Sequence, residues 1–138
     1  MEGEKRYRLR RGQQIVGYCR ELPSGAMFYS KDSFWWTGHI IPYTQLDEWT
    51  GWKDKNRILI YEYDIVKCKL DPDGDFQNAA VLWNSKNEEF CLRLLNEDSL
   101  YFPLEMSGIA MFNPKQIQVF SQLFINPEIM ESLGLKDD

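Results

Sequence analysis

A mainly β fold of many short strands is expected for this chain, on three observations. Apolar and polar residues alternate with a period of two in several segments. Glycine, proline, asparagine and aspartate separate these segments, as turns require. Helix signals gather in one place only, the C-terminal "INPEIMESLGL". Such strands close into a barrel or pack as a sandwich. With 138 residues, 43% of them hydrophobic and 14% aromatic, the chain can bury the core of one ordinary globular domain, and this composition excludes a disordered chain.

The elements follow in order. "RYRLRR" sets Tyr7 and Leu9 against Arg8 and Arg10, the alternation of a half-buried strand. Gly12 marks a turn, and "QIVGYC" returns as the partner strand. Pro23-Ser24-Gly25 is a second turn, followed by "AMFYS". "SFWWTGHIIPYTQL" is aromatic and β-branched but interrupted by Gly38 and Pro42, and its pattern assigns no single element. Trp49-Thr50-Gly51 and Asp54-Lys55-Asn56 read as turns, and "RILIYEYDIVKCKL" as a strand from Arg57 to Leu70. Its second half places Ile65, Lys67 and Lys69 on one face and Val66, Cys68 and Leu70 on the other.

"DPDGD" then supplies a hairpin turn, with Pro72 presetting φ and Gly74 taking a positive one. "NAAVLWN", "FCLRLL", "LYFP" and "QIQVFSQLF" complete the strands. In the tail, Asn126 is a candidate N-cap, Pro127 suits the first helical position, and Gly134 suits the residue after the helix. Met130 and Leu135 would make the accompanying apolar contact.

Charge and cysteine content narrow the function classes. Residues 1–20 carry a net +4 and the remainder −9. An acidic body disfavours broad nucleic-acid binding, although the basic segment Lys5, Arg6, Arg8, Arg10 and Arg11 is a candidate contact for an anionic partner. The more ordinary role of such a strand is a charged edge, or one paired with acidic neighbours. Cys19, Cys68 and Cys91 have neither disulfide-framework nor zinc spacing, and buried free thiols are expected. No apolar run has the length of a membrane-spanning helix, and "MEGEKRYRLRR" leads into no apolar secretory segment, so a cytoplasmic protein is expected.

"EWTGWKDKN" followed by "IYEYDIVK" resembles the YopX family, small proteins common in bacteriophages and prophages, whose members carry a pattern like "YTGLKDKNGKEIYEGDIV". Thr50, Gly51, Lys53, Asp54, Lys55, Asn56, Ile60, Tyr61, Glu62, Asp64, Ile65 and Val66 carry the match. The tail "QVFSQLFINPEIM" is similar to the family's "VIGNIYENPELL" through Ile125, Asn126, Pro127, Glu128 and Ile129 or Met130.

Two positions depart from that pattern: Arg57 and Tyr63 stand where it has glycine. A positive φ there would be strained, unless Asn56 takes the left-handed position instead. The resemblance implies an SH3-type β-barrel core over residues 48–138, an additional N-terminal β portion over residues 1–47, and a phage or mobile-element origin. One continuous domain is the alternative. It implies no catalytic residues, so the motif is expected to be architectural or binding.

Candidate chemistry is sparse. His39 is the sole histidine and lacks a nucleophile motif. Glu62 with Asp64, Glu88 with Glu89, and Glu97 with Asp98 are carboxylate pairs; the first would share one strand face, compatible with a hydrolytic site but more often an exposed face. "DPDGD" lacks the spacing of a calcium loop, and no metal or cofactor is expected. Trp35, Trp36, Trp49 and Trp52 are candidates for an aromatic interface, Trp35 and Trp36 pointing oppositely so that one is exposed.

These features point first to a non-enzymatic interaction module forming a homo-oligomer or binding a phage or host protein. A nucleic-acid accessory protein and a small hydrolase are the alternatives.

Overall fold

The computed structural model describes residues 3–69, 71, 73–96 and 100–135. Its strands are β1 (Lys5–Arg11), β2 (Gln14–Glu21), β3 (Met27–Ser30), β4 (Gln45–Lys53), β5 (Leu59–Tyr61), β6 (Asp64–Cys68), β7 (Gln77–Asn84), β8 (Glu89–Leu94), β9 (Tyr101–Pro103), β10 (Glu105–Met106), β11 (Ile109–Ala110) and β12 (Ile117–Gln122). A 3-10 turn, Leu123–Ile125, and the helix α1 (Pro127–Ser132) close the chain. The mainly β expectation with one short C-terminal helix is met.

Two five-stranded antiparallel sheets carry the fold, in the orders β3-β2-β1-β4-β5 and β12-β6-β7-β8-β9, beside the small β10–β11 hairpin. Each sheet is open, and no closed sheet occurs among the described residues. β4 runs across the boundary at residue 47 and belongs wholly to the first sheet, so both parts of the chain share that strand.

Ile60, Val66, Val81, Leu92, Leu104 and Ile117 form the centre of the larger core, with Trp52 packed against it. Ile65, Ala80, Leu82, Leu123 and Met130 line the opposite face of the second sheet, beneath α1. Leu9, Cys19 and Tyr29 make a small core on the first sheet, joined by Ile41 from the long β3–β4 connection. Gly17 makes room for that contact: a Cβ there would lie 2.7 Å from Ile41 Cδ1 and 2.8 Å from the Ser30 carbonyl oxygen.

Several local expectations are corrected. Trp49-Thr50-Gly51 is not a turn; it lies inside β4, where the ladder to β5 slips and Gly51 has φ 93°. The strand expected from Arg57 to Leu70 is two strands, broken by a turn at Glu62 and Tyr63. The alternation along β6 is as expected, with Val66 and Cys68 in the larger core and Ile65 on the other face, where α1 covers Ile65 while Lys67 is exposed.

Gly74 does not take a positive φ. The Asp71 carboxylate instead accepts the Asp73 N–H at 3.0 Å, and the Asp71 carbonyl that of Gly74 at 2.9 Å. Asn126 does not cap α1 through its side chain, which donates to Ser121 Oγ and to the Gln122 carbonyl. Leu70, Pro72 and the Glu97–Asp98 pair lie outside the described residues.

Candidate functional site

The basic strand is the first surprise. Arg8 and Arg10 alternate with Tyr7 and Leu9 as expected, yet both faces of β1 are covered. Leu9 packs into the small core, while Arg8 and Arg10 are 3% and 1% exposed. A buried guanidinium is tolerated only beside carboxylates, and two are supplied.

Antiparallel pairing sets Arg8 opposite Asp47. Arg8 Nε donates to Asp47 Oδ2 at 2.8 Å, and Arg10 holds the same carboxylate through Nε at 2.9 Å and Nη2 at 2.9 Å. Arg8 Nη1 also donates to Asp64 on the second sheet, and Arg8 Nη2 to the Glu62 carbonyl at 3.0 Å. Phe124 lies 4.2 Å from the Arg10 guanidinium carbon and 5.0 Å from that of Arg8, measured to its ring centroid, which fixes the tail against β1.

The chain Arg10–Asp47–Arg8–Asp64 is therefore an electrically balanced seam between the sheets. Arg8 and Arg10 are corrected as contacts for an anionic partner, because each is enclosed and paired. Arg6 is half-buried, bonded to Glu4 at 3.4 Å and stacked between Trp36 (5.8 Å) and Trp49 (5.7 Å). Only Lys5 and Arg11 of the five basic candidates are exposed. Sequence reading missed Asp47 and Phe124. The available signal was arginines and a leucine alternating on one strand, which needs carboxylates on a neighbouring strand once both faces are buried.

The buried polar residues of the "TGWKDKN…IYEYDIV" motif, Thr50, Asp54 and Asp64, have backbone tasks. Thr50 Oγ1 donates to the Ile60 carbonyl at 2.8 Å and accepts the Trp52 N–H. Asp54, buried, accepts from Asn56 N at 2.8 Å and Ile58 N at 3.0 Å with one oxygen, and from Val119 N at 3.0 Å with the other. It thus closes the β4–β5 loop and ties it to β12. Asp64 accepts the Tyr61 N–H at 2.8 Å across the β5–β6 turn. Tyr61 is buried against the Arg8 guanidinium. Lys53, Lys55 and Asn56 are exposed.

Arg57, rather than Asn56, takes the left-handed conformation (φ 66°), and Tyr63 does the same (φ 71°). Each such residue costs about 1–2 kcal/mol of backbone strain relative to glycine.

Glu62 and Asp64 do not face one cleft. Asp64 heads β6 and is enclosed by its arginine, whereas Glu62 sits in the turn and lines a hollow of about 430 Å³ with Trp83 and Tyr101. Burial, with the charges of Asp47 and Glu48, pushes the Glu62 carboxyl up to about 7 against the pull of Arg10 and Arg8. Burial also raises Asp64, opposed by Arg8. Glu62 and Asp64 therefore do not make the facing acid–base pair that glycoside hydrolysis uses.

Cys68 and Cys91 are buried, and burial pushes both thiols up to about 11, the behaviour of inert core residues. Among the described residues no group of three or more His, Cys, Asp and Glu could hold a metal ion.

The tryptophans separate into two surfaces. Trp36 is half-buried against Arg6 and Arg20, while Trp35 next to it projects outward, in a loop rather than a strand. Phe34, Trp35 and Ile40 are 89%, 77% and 73% exposed beside a cleft of about 760 Å³ that includes Lys31, His39 and Ile41. This loop is firmly held. Asp32 Oδ1 accepts the N–H groups of Phe34 at 2.9 Å and Trp35 at 3.0 Å, and Tyr29 and Thr37 form an isolated bridge. Trp49 and Trp52 lie elsewhere, in a second groove with Trp83.

No protein-family model matches the chain, and no curated protein matches it. No helix among the described residues is long and apolar enough to cross a membrane.

Proposed function

We propose that this protein is a non-enzymatic interaction module of the phage-associated YopX type, cytoplasmic, with an SH3-type core, that self-associates through its β3–β4 loop. The observation that carries this reading is the outward projection of Phe34, Trp35 and Ile40 from a loop already fixed by Asp32 and the Tyr29–Thr37 bridge. Large apolar side chains held in place lose little freedom on docking, and their removal from water drives association. A monomer gains nothing from exposing them together.

The family reading draws support from Arg57 and Tyr63. Both adopt the positive φ that glycine, present there in the resembled pattern, accepts without strain. A phage or host protein is the further partner in this reading, and nucleic acid is disfavoured because most of the basic strand is enclosed or stacked.

Light scattering at low and high salt tests the proposal. The protein is expected at a salt-independent multiple of its 16.4 kDa chain mass, and the Phe34→Ser/Trp35→Ser variant at the monomer mass. A wild-type protein that stays monomeric at all concentrations overturns it.

A further inference from the structure

A groove of about 660 Å³ runs between the start of β1, the bulged part of β4, the β7–β8 turn and the β10–β11 hairpin. Its aromatic lining comes from Trp49, Trp52, Trp83 and Phe90. These rings are positioned rather than loose. Trp49 Nε1 donates to the Trp52 carbonyl at 2.9 Å, Trp52 meets Phe112 edge-on, and Trp83 meets Phe90 edge-on at 4.9 Å.

Five carboxylates surround them, those of Glu4, Glu48, Glu88, Glu89 and Glu105, against the single ammonium of Lys5. Glu4 is held by Arg6 and Arg20. Among the described residues, none of the other four forms an ion pair.

We propose that this groove binds a lysine- and arginine-rich segment of a partner protein. Carboxylates of like charge around one groove repel one another, and a cationic ligand relieves that repulsion. A phosphate backbone would add to it, and a neutral sugar would leave it in place. The four open carboxylates come from β4, the β7–β8 turn, β8 and β10. A single amine cannot reach all of them, whereas an extended segment with several cationic side chains can.

The aromatic lining suits the same ligand, since ring faces attract guanidinium and ammonium groups most strongly where water is excluded. The chain contains an example of this recognition: Arg6 lies 5.7 Å from the Trp49 ring while bonding the Glu4 carboxylate. A second copy of the chain docks, in the reading above, through the apolar surface of Phe34, Trp35 and Ile40, which offers this groove no cationic segment.

Fluorescence anisotropy with labelled deca-arginine and deca-lysine, and deca-glutamate as control, tests the proposal. Both cationic peptides are expected to bind, more weakly as salt rises. The triple variant Glu88→Gln/Glu89→Gln/Glu105→Gln is expected to lose about tenfold in affinity. Asp71→Asn/Asp73→Asn/Asp75→Asn removes the same charge from the exposed β6–β7 turn and is expected to lose less than about twofold.

Equal losses in the two triple variants would reduce the binding to net charge and overturn the proposal, as would failure of both cationic peptides to bind. A fall in the solution mass of the peptide-free protein on making the groove variant would also overturn it, by assigning the groove to a second copy. The Phe34→Ser/Trp35→Ser variant, which tests self-association, leaves peptide affinity unchanged.

Discussion

The two faces of β1 are buried by opposite means. Leu9 lies against Cys19 and Tyr29, with no polar atom to satisfy. Arg8 and Arg10, one residue to either side, lie against Asp47, Asp64 and Phe124. The apolar face is held by removal of surface from water and tolerates small shifts of its contacts. The charged face is held only while every member of the network is present, since one missing partner leaves a charge stranded in the interior. One strand thus shows that a run of arginines can be interior when its carboxylates arrive on neighbouring strands.

Two substitutions sharpen that contrast. Leu9→Ala removes apolar contacts alone and is expected to cost about 3 kcal/mol in urea unfolding, with no dependence on pH. A pronounced pH dependence of that loss would show that the two faces are coupled.

The smaller effect concerns Glu62, beside the charged face. Its folded pKa is raised from 4.5 to about 7, so the folded protein binds this proton more tightly than the unfolded chain. Its contribution is therefore fully present below pH 4.5 and is lost as pH rises through about 7. Glu62→Gln is expected to remove that slope and to stabilise the protein at pH 8 by about 1 kcal/mol, after allowance for partial solvent screening. Unfolding midpoints at pH 5 and 8, at one protein concentration, measure it. Parallel changes in wild type and variant would place the titration elsewhere.

Legibility in the sequence followed the range of the interactions. The hairpins from β1 to β3 and from β6 to β8, and the Pro127 and Gly134 signals of α1, are set by neighbours in the chain and could be read. The break at Tyr63 could not, because a tyrosine with positive φ carries no turn signature, and the pattern there reads as a continuous strand. The bulge at Gly51 looked like a turn because glycine serves both. Of the seam, pairing of the basic strand with acidic neighbours could be read as one alternative, but not its carboxylates or its burial. Arg8 and Asp64 are far apart in the chain, and no local pattern tells a buried arginine from a solvated one. The aromatic surfaces were half visible: that one of Trp35 and Trp36 is exposed could be read, though from a strand alternation that the loop does not have, but not that Trp83 joins Trp49 and Trp52 in one groove.

The seam moves β1 from the surface of the molecule to its interior. The most direct measurement is a double-mutant cycle by urea unfolding on Arg8→Met and Asp64→Asn. Asparagine keeps an acceptor for the Tyr61 N–H, and the Arg10–Asp47 pair stays balanced throughout. Each single substitution is expected to cost about 3–5 kcal/mol, and the pair together clearly less than the sum. Single losses below about 0.5 kcal/mol that simply add would contradict the account, returning Arg8 to solvent as a contact for an anionic partner.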